Sequence, residues 1–317
     1  MRLRLFLIGV VNALIFLVFS LPALADGVIL TRPGGGEVLD GETLEVLSEF
    51  SLEGSAQPLV AVHPQAPVAA TYTPTQGVVF WNLPGMSKAS SYQGALVKNG
   101  IVDIGFSQGG ESLFLLSTEL RAVVVLDLAK SEVAGLLPVP GAIPVSFQVA
   151  KEGLLVSQES GFSFLSTKPG VGLLAQYRYP EVVAGGLAQN GRLYVSLRGQ
   201  SGVWVHDLLE GQTLGLLPAG GEVASLSGRG REKGLVLLGA GGAMEGRDFQ
   251  SSTPLWAFRV PSGSSSDVEL LAGKEAFYVL DRAAGVLVAL NAQGKEVARA
   301  SVSPDQGPIA AFEGVAR

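Results

Sequence analysis

Two histidines and no cysteine limit what chemistry this 317-residue chain can carry. A zinc site of Cys/His spacing lacks its parts, and any histidine-based metal site or triad must use one of these two residues. His206 precedes Asp207, a pairing that suits metal binding or acid–base work. His63 stands alone in "AVHPQAP" and reads as an exposed turn residue. One group of charges is Glu245, Arg247 and Asp248, with Phe249 beside them, in the segment 240–253. Two carboxylates and a guanidinium so close together suit polar recognition of a ligand. No nucleophile elbow, P-loop or EF-hand loop is present, and no metal-ligating set is indicated. "GGGE" at Gly34 and "GAGGAMEG" at Gly239 are glycine-rich, but neither leads a strand into a helix, so neither is read as a phosphate cradle.

The ends and the composition bound the rest. Met1 to Arg4 is basic, Leu5 to Phe19 is apolar, and Ala23 and Ala25 provide small residues before Asp26. That order reads as a secretory signal over residues 1–25, with an uncleaved N-terminal anchor as the alternative. The expected location is therefore periplasmic or extracellular, with no membrane insertion after cleavage. Removing two arginines with the leader leaves 20 basic against 28 acidic residues, a net charge of −8. Such a balance argues against nucleic acid as a partner. With no disulfide available, one sizeable core must stabilise the single domain 26–317, and that length allows it. Glycine at 42 residues and charged residues at 16% suggest many short strands joined by tight turns.

A repeat organises those strands. A β-rich run ending in a small or polar residue recurs as VILT, VAAT, LFLLS, LLVS, LYVS, LVLLG and FYVLD. Its end marks, Thr31, Thr71, Ser117, Ser157, Ser196, Gly239 and Asp281, are spaced by 40, 46, 40, 39, 43 and 42 residues. A second run follows each mark, as in VVFWN to Asn82, VVVLD to Asp127, VWVHD to Asp207 and LWAFR to Arg259. Two weaker runs complete each unit, so the chain is expected to be all-β, a seven-bladed β-propeller of four-stranded blades. The expected blades span about 59–101, 102–143, 144–182, 183–222, 223–269 and 270–307. A closing blade joins 28–57 to one C-terminal strand in 309–316, which removes the open edge. In this register His206 matches Leu39, Trp81, Leu126, Leu165, Phe258 and Leu290, which makes it a packing residue between blades. The row Asp40, Asn82, Asp127, Asp207 and Asn291 reads as turn chemistry.

"PLVAVHPQAPVAATY" followed by "VVFWNLP" resembles the YVTN repeat of lactonase-like propellers. "GFSQGGESLFLLS" with "VVVLDLAKSEVAG", and "GLAQNGRLYVS" with "VWVHDLLEGQ", carry the same resemblance. It covers essentially the whole mature chain and implies the fold far more than any activity. "VLVALNAQGKEV" looks like a quinoprotein-type repeat in a single blade.

The repeat also predicts a binding face, formed by the turns between second and third strands together with the blade-to-blade connectors. Residues just after the marks should lie there: Arg32, Tyr72, Gln158, Arg198 and Arg282. Connectors add Tyr179, Glu181 and Asp305, and Ala240–Thr253 is expected as the one long turn, bringing Glu245, Arg247 and Asp248. Converging arginines suit a small anionic or sugar-like ligand. The leading expectation is a non-catalytic binding or protein-interaction scaffold, acting as a monomer, with no cofactor indicated by any motif. The alternative is a lactonase-like hydrolase using Glu245, Asp248, Asp281 or Asp305 at the channel mouth. A quinone-dependent dehydrogenase is the third and weakest reading.

Overall fold

A computed structural model describes residues 26–312, except 99, 169, 230–233, 250–252 and 274–275. The expected leader, and residues 313–316 of the closing blade, lie outside the described residues. The described chain is almost entirely strand, with one 3-10 turn at Ala95–Val97. No helix among the described residues is long and apolar enough to cross a membrane.

The strands form a propeller of five four-stranded sheets and one seven-stranded sheet. The closing sheet runs Ile309–Phe312, Gly27–Arg32, Gly35–Asp40, Val46–Ser51, so the C-terminal strand pairs with the first described one as expected. The second sheet takes Leu59–Val62, Val68–Thr73, Gly77–Asn82 and Ser87–Tyr92. The third takes Ile101–Phe106, Ser112–Ser117, Ala122–Asp127 and Glu132–Pro138. The fourth takes Pro144–Ala150, Gly153–Gln158, Gly161–Leu165 and Leu173–Arg178. The last takes Val268–Ala272, Ala276–Asp281, Val286–Asn291 and Glu296–Ser301.

Between the fourth and the last lies the seven-stranded sheet. It comprises Val183–Gln189, Arg192–Leu197, Ser201–Asp207, Thr213–Arg229, Gly234–Gly239, Ala243–Arg247 and Trp256–Arg259. The expected break between residues 222 and 223 is absent. Instead "LPAGGE" stays extended, so Thr213–Arg229 pairs with Ser201–Asp207 through its first part and with Gly234–Gly239 through its second.

Strand composition follows from position in the sheet. Second and third strands are covered on both sides, so they are continuous apolar runs rather than alternating ones. Leu113, Leu115, Leu116, Val123 and Val124 are all fully buried. Outer strands face solvent on one side and alternate, as in Glu132–Pro138 and Glu296–Ser301. Apolar clusters fill the space between neighbouring sheets. Leu113, Leu115 and Tyr72 meet between the second and third sheets, and Phe114, Leu154 and Val156 between the third and fourth. A further cluster of Tyr194, Val203, Val223 and Leu237 lies between the two halves of the seven-stranded sheet. Each fully buried leucine contributes about 1.5–3 kcal/mol relative to exposure.

Turns after the third strands use side-chain acceptors. Asp40, Asp127, Asp207 and Asn291 each accept backbone N–H bonds from residues two to four further on. Gly294 closes the last of these with φ +71°, where a Cβ would sit 2.4 Å from the Trp256 ring. The repeat marks need small adjustments. The second strands end at Arg32, Thr73, Gln158 and Leu197, not at Thr31, Thr71, Ser157 and Ser196. Those hydroxyl residues instead sit inside the strands, where buried partners satisfy them: Thr31 donates to the Pro308 carbonyl, and Thr71 accepts from Trp81 Nε1.

Candidate binding face

In a meander of antiparallel strands, alternate turns point the same way. The turns joining second to third strands therefore share a face with the connectors that lead to the next innermost strand. Arg32, Gln158, Arg198 and Arg282 all lie at this end of their sheets, and Tyr72 lies one residue before the end of its strand. Arg32, Arg282 and Gln158 are engaged within the protein. Arg32 pairs with Glu37 at 2.6 Å and Glu49 at 3.5 Å. Arg282 pairs with Glu269 at 2.5 Å and Asp267 at 3.6 Å, and donates to the carbonyls of Gln306 and Gly307. Gln158 is buried and donates to the carbonyls of Pro140 and Ala142. The Tyr72 ring is packed in the core, and burial, then the Glu119 charge, pushes its hydroxyl pKa up. Arg198 and Asp305 are exposed. Glu181 accepts from Gln200, and Tyr179 stacks edge-on against Phe162.

The long turn expected over 240–253 is not formed. Ala243–Arg247 is itself the third strand, reached by a short turn at Ala240–Gly242, and Trp256–Arg259 is the outer strand. Arg247 rather than Phe258 is thus the counterpart of His206, since Leu235 pairs with Arg247 as Leu193 pairs with His206. A buried arginine in a packing row hid the strand from a search for apolar runs. Arg247 is 4% exposed and forms a 2.7 Å ion pair with Glu245. Asp248 follows the strand, level with Asp207 and Asn291, so Glu245, Arg247 and Asp248 do not form a loop on the expected face.

His206 is buried beside the rings of Tyr177 and Tyr179, with Nδ1 3.1 Å from the Thr213 hydroxyl. Burial holds its pKa below the usual imidazole range. His63 accepts the backbone N–H groups of Gln65 and Ala66 through Nδ1, which organises its own turn. Among the described residues there is no group of three or more His, Cys, Asp or Glu placed to hold a metal ion.

The innermost strands line a central channel, and a cavity of about 770 Å³ opens against those of the fourth, seven-stranded and last sheets. Three polar side chains within these strands were not singled out from sequence. Asp103 and Glu269 are each the lone polar residue of an apolar strand, and Gln148 shares its strand only with Ser146; that is the signal that marks them. Asp103 Oδ2 accepts the Phe147 N–H of the next sheet at 2.8 Å, and Oδ1 accepts that of Ile104. Glu269 Oε1 likewise accepts the Ile309 N–H across to the closing sheet. Gln148 both donates to and accepts from the Ala188 backbone. These side chains satisfy backbone groups on open strand edges and tie one sheet to the next. Burial raises the Asp103 pKa to about 6; the two N–H bonds oppose that rise and the Glu269 charge adds to it.

The same face carries exposed apolar residues in a repeated backbone feature. The innermost strands of the third and fourth sheets and the first strand of the seven-stranded sheet slip register near their start, at Ile101/Asp103, Pro144/Ser146 and Val183/Gly185, and Thr213–Arg229 slips at Val223/Ser225 within its length. The extra residues are Val102, Val145, Ala184 and Ala224. Val102 is 37% and Val145 59% exposed, and the neighbouring connectors add Ile143 at 56% and Val182 at 37%. Leu120, 42% exposed, lies on the adjoining turn, where Thr118 donates to the Gly100 carbonyl beside the third sheet's innermost strand.

No family model matches the chain, and no curated protein matches it at a significant level. Solved structures do. The computationally designed Ika8 protein has TM-score 0.65 and 13% identity over 92% of each chain. BamB from Moraxella catarrhalis has TM-score 0.55 and 16% identity over 88% of this chain and 83% of its own. Hsv2 from Kluyveromyces lactis has TM-score 0.59 and 12% identity over 74% of this chain and 75% of its own. At such identities the shared property is the fold, and this chain has the fold of a β-propeller.

Proposed function

We propose that this chain is an exported, non-catalytic β-propeller of the YVTN/lactonase-like type that serves as a protein-interaction scaffold. Its seven-stranded sheet is read as two blades sharing the strand Thr213–Arg229, which completes a ring of seven. The apolar cluster between the two halves supports that count, because stacked blades enclose such clusters everywhere else in the ring. One observation carries the functional reading: the mouth residues Arg32, Arg282 and Asp281 are engaged within the protein, while apolar residues at the same end stay exposed. Arg32 and Arg282 are held by carboxylates, and both Asp281 oxygens accept backbone N–H groups. Val145 and Ile143, on the fourth sheet across the mouth, remain more than half exposed. A scaffold needs that arrangement, whereas a hydrolase needs a base free to reach one water.

Thermal unfolding of the mature protein against divalent metals, lactones, sugar acids and quinone cofactors tests this. The expected result is an unchanged midpoint throughout. A midpoint raised by a lactone, accompanied by its hydrolysis, overturns the scaffold reading in favour of the enzyme.

A further inference from the structure

The channel mouth differs from one side to the other. Val102, Val145 and Ala184 occupy the same bulge position on three successive innermost strands, with Ile143 and Val182 two residues before the latter two. These strands touch. The Asp103–Phe147 bond joins the first two, and the Gln148–Ala188 pair joins the next two. The bulge residues therefore form a continuous arc, continued outward by Leu120.

Across the mouth, among the described residues, the last and closing sheets have no exposed large apolar residue at this end. Their exposed groups include Asp267 and Asp305, and Arg282 is already neutralised by Asp267 and Glu269. Glu119 and Glu159 flank the apolar arc, and Lys98, Arg121, Arg178 and Arg198 are exposed cations on that same side. The exposed cations thus lie on the side of the arc, while the exposed charges opposite it, Asp267 and Asp305, are acidic, in a chain that is acidic overall.

We propose that this mouth docks an extended protein segment carrying apolar side chains on one side and lysine or arginine on the other. The apolar side covers the arc from Val102 to Val182, and the basic side faces Asp267 and Asp305. An extended segment is specified because its side chains alternate, which matches a surface apolar on one side and acidic on the other. The inference rests on the scaffold reading and names the chemistry of its partner.

Panning a random displayed peptide library on the whole mature protein tests both and separates them. Enriched peptides should alternate apolar with basic residues. Their affinity should fall about tenfold or more in Val145→Asp and in Ile143→Asp, because each change puts a charge under an apolar contact. Leu216→Asp, on the rim of the seven-stranded sheet, should leave affinity unchanged, and unchanged thermal midpoints show that all three variants fold. Peptides that bind both mouth variants as well as the parent overturn docking at the arc and leave the scaffold intact. Enrichment of acidic peptides overturns the assigned partner chemistry. No enrichment above bare support overturns the scaffold reading as well.

Discussion

Replacing Asp103 with asparagine should change how stability depends on pH. The carboxyl group sits in the channel wall, accepting the N–H groups of Ile104 at 2.9 Å and Phe147 at 2.8 Å. Burial is the largest influence on it and raises its pKa from 3.8 to about 6. Below the lower value both folded and unfolded chains hold the proton. Between the two values the unfolded chain releases it and the folded chain keeps it, so stability falls as pH rises through this window. A shift of about two units at 1.36 kcal/mol each gives about 3 kcal/mol, an upper figure because channel water screens the charge. Asp103→Asn cannot titrate but keeps one acceptor for one of the two N–H groups. Urea unfolding of both proteins at pH 4, 5, 6 and 7 gives the measurement. The parent should lose up to about 3 kcal/mol relative to the variant between pH 4 and pH 7, with the difference levelling off above about pH 6. Stability curves that stay parallel across the range refute the argument, whatever their absolute separation.

Two further substitutions test the packing. Tyr72→Phe removes a buried hydroxyl that has no hydrogen-bond partner among the described residues, so urea unfolding should show stability unchanged or raised by about 1 kcal/mol; a loss of that size would mean the hydroxyl is satisfied by bound water. Arg247→Ala leaves Glu245 without its ion-pair partner in a row otherwise filled by residues such as Leu126, Leu165 and Leu290, and it should cost about 3 kcal/mol in the same assay. A cost below about 1 kcal/mol would place Arg247 among weakly coupled surface residues.

The sequence by itself determined the architecture, because each second and third strand must be apolar on both faces and each turn must supply its own acceptors. Leu113–Ser117 with Ala122–Asp127, and the turn residues Asp127, Asp207 and Asn291, carry that pattern openly. Ring closure was legible too, since a lone C-terminal strand needs a partner and Gly27–Arg32 had an open edge. What failed was local. Apolar periodicity passed over Ala243–Arg247 because Arg247 occupies a position that hydrophobic residues fill elsewhere, and it could not tell that "LPAGGE" stays extended. The face itself only the tertiary structure decided. Whether Arg32 or Arg282 is free depends on carboxylates from other strands, Glu49 and Glu269 among them, and no spacing along the chain reports those pairings. The same holds for Asp103 and Glu269. They are 166 residues apart in sequence, yet they face one channel because a ring returns its last sheets to its first, and it is this closure that couples their charges.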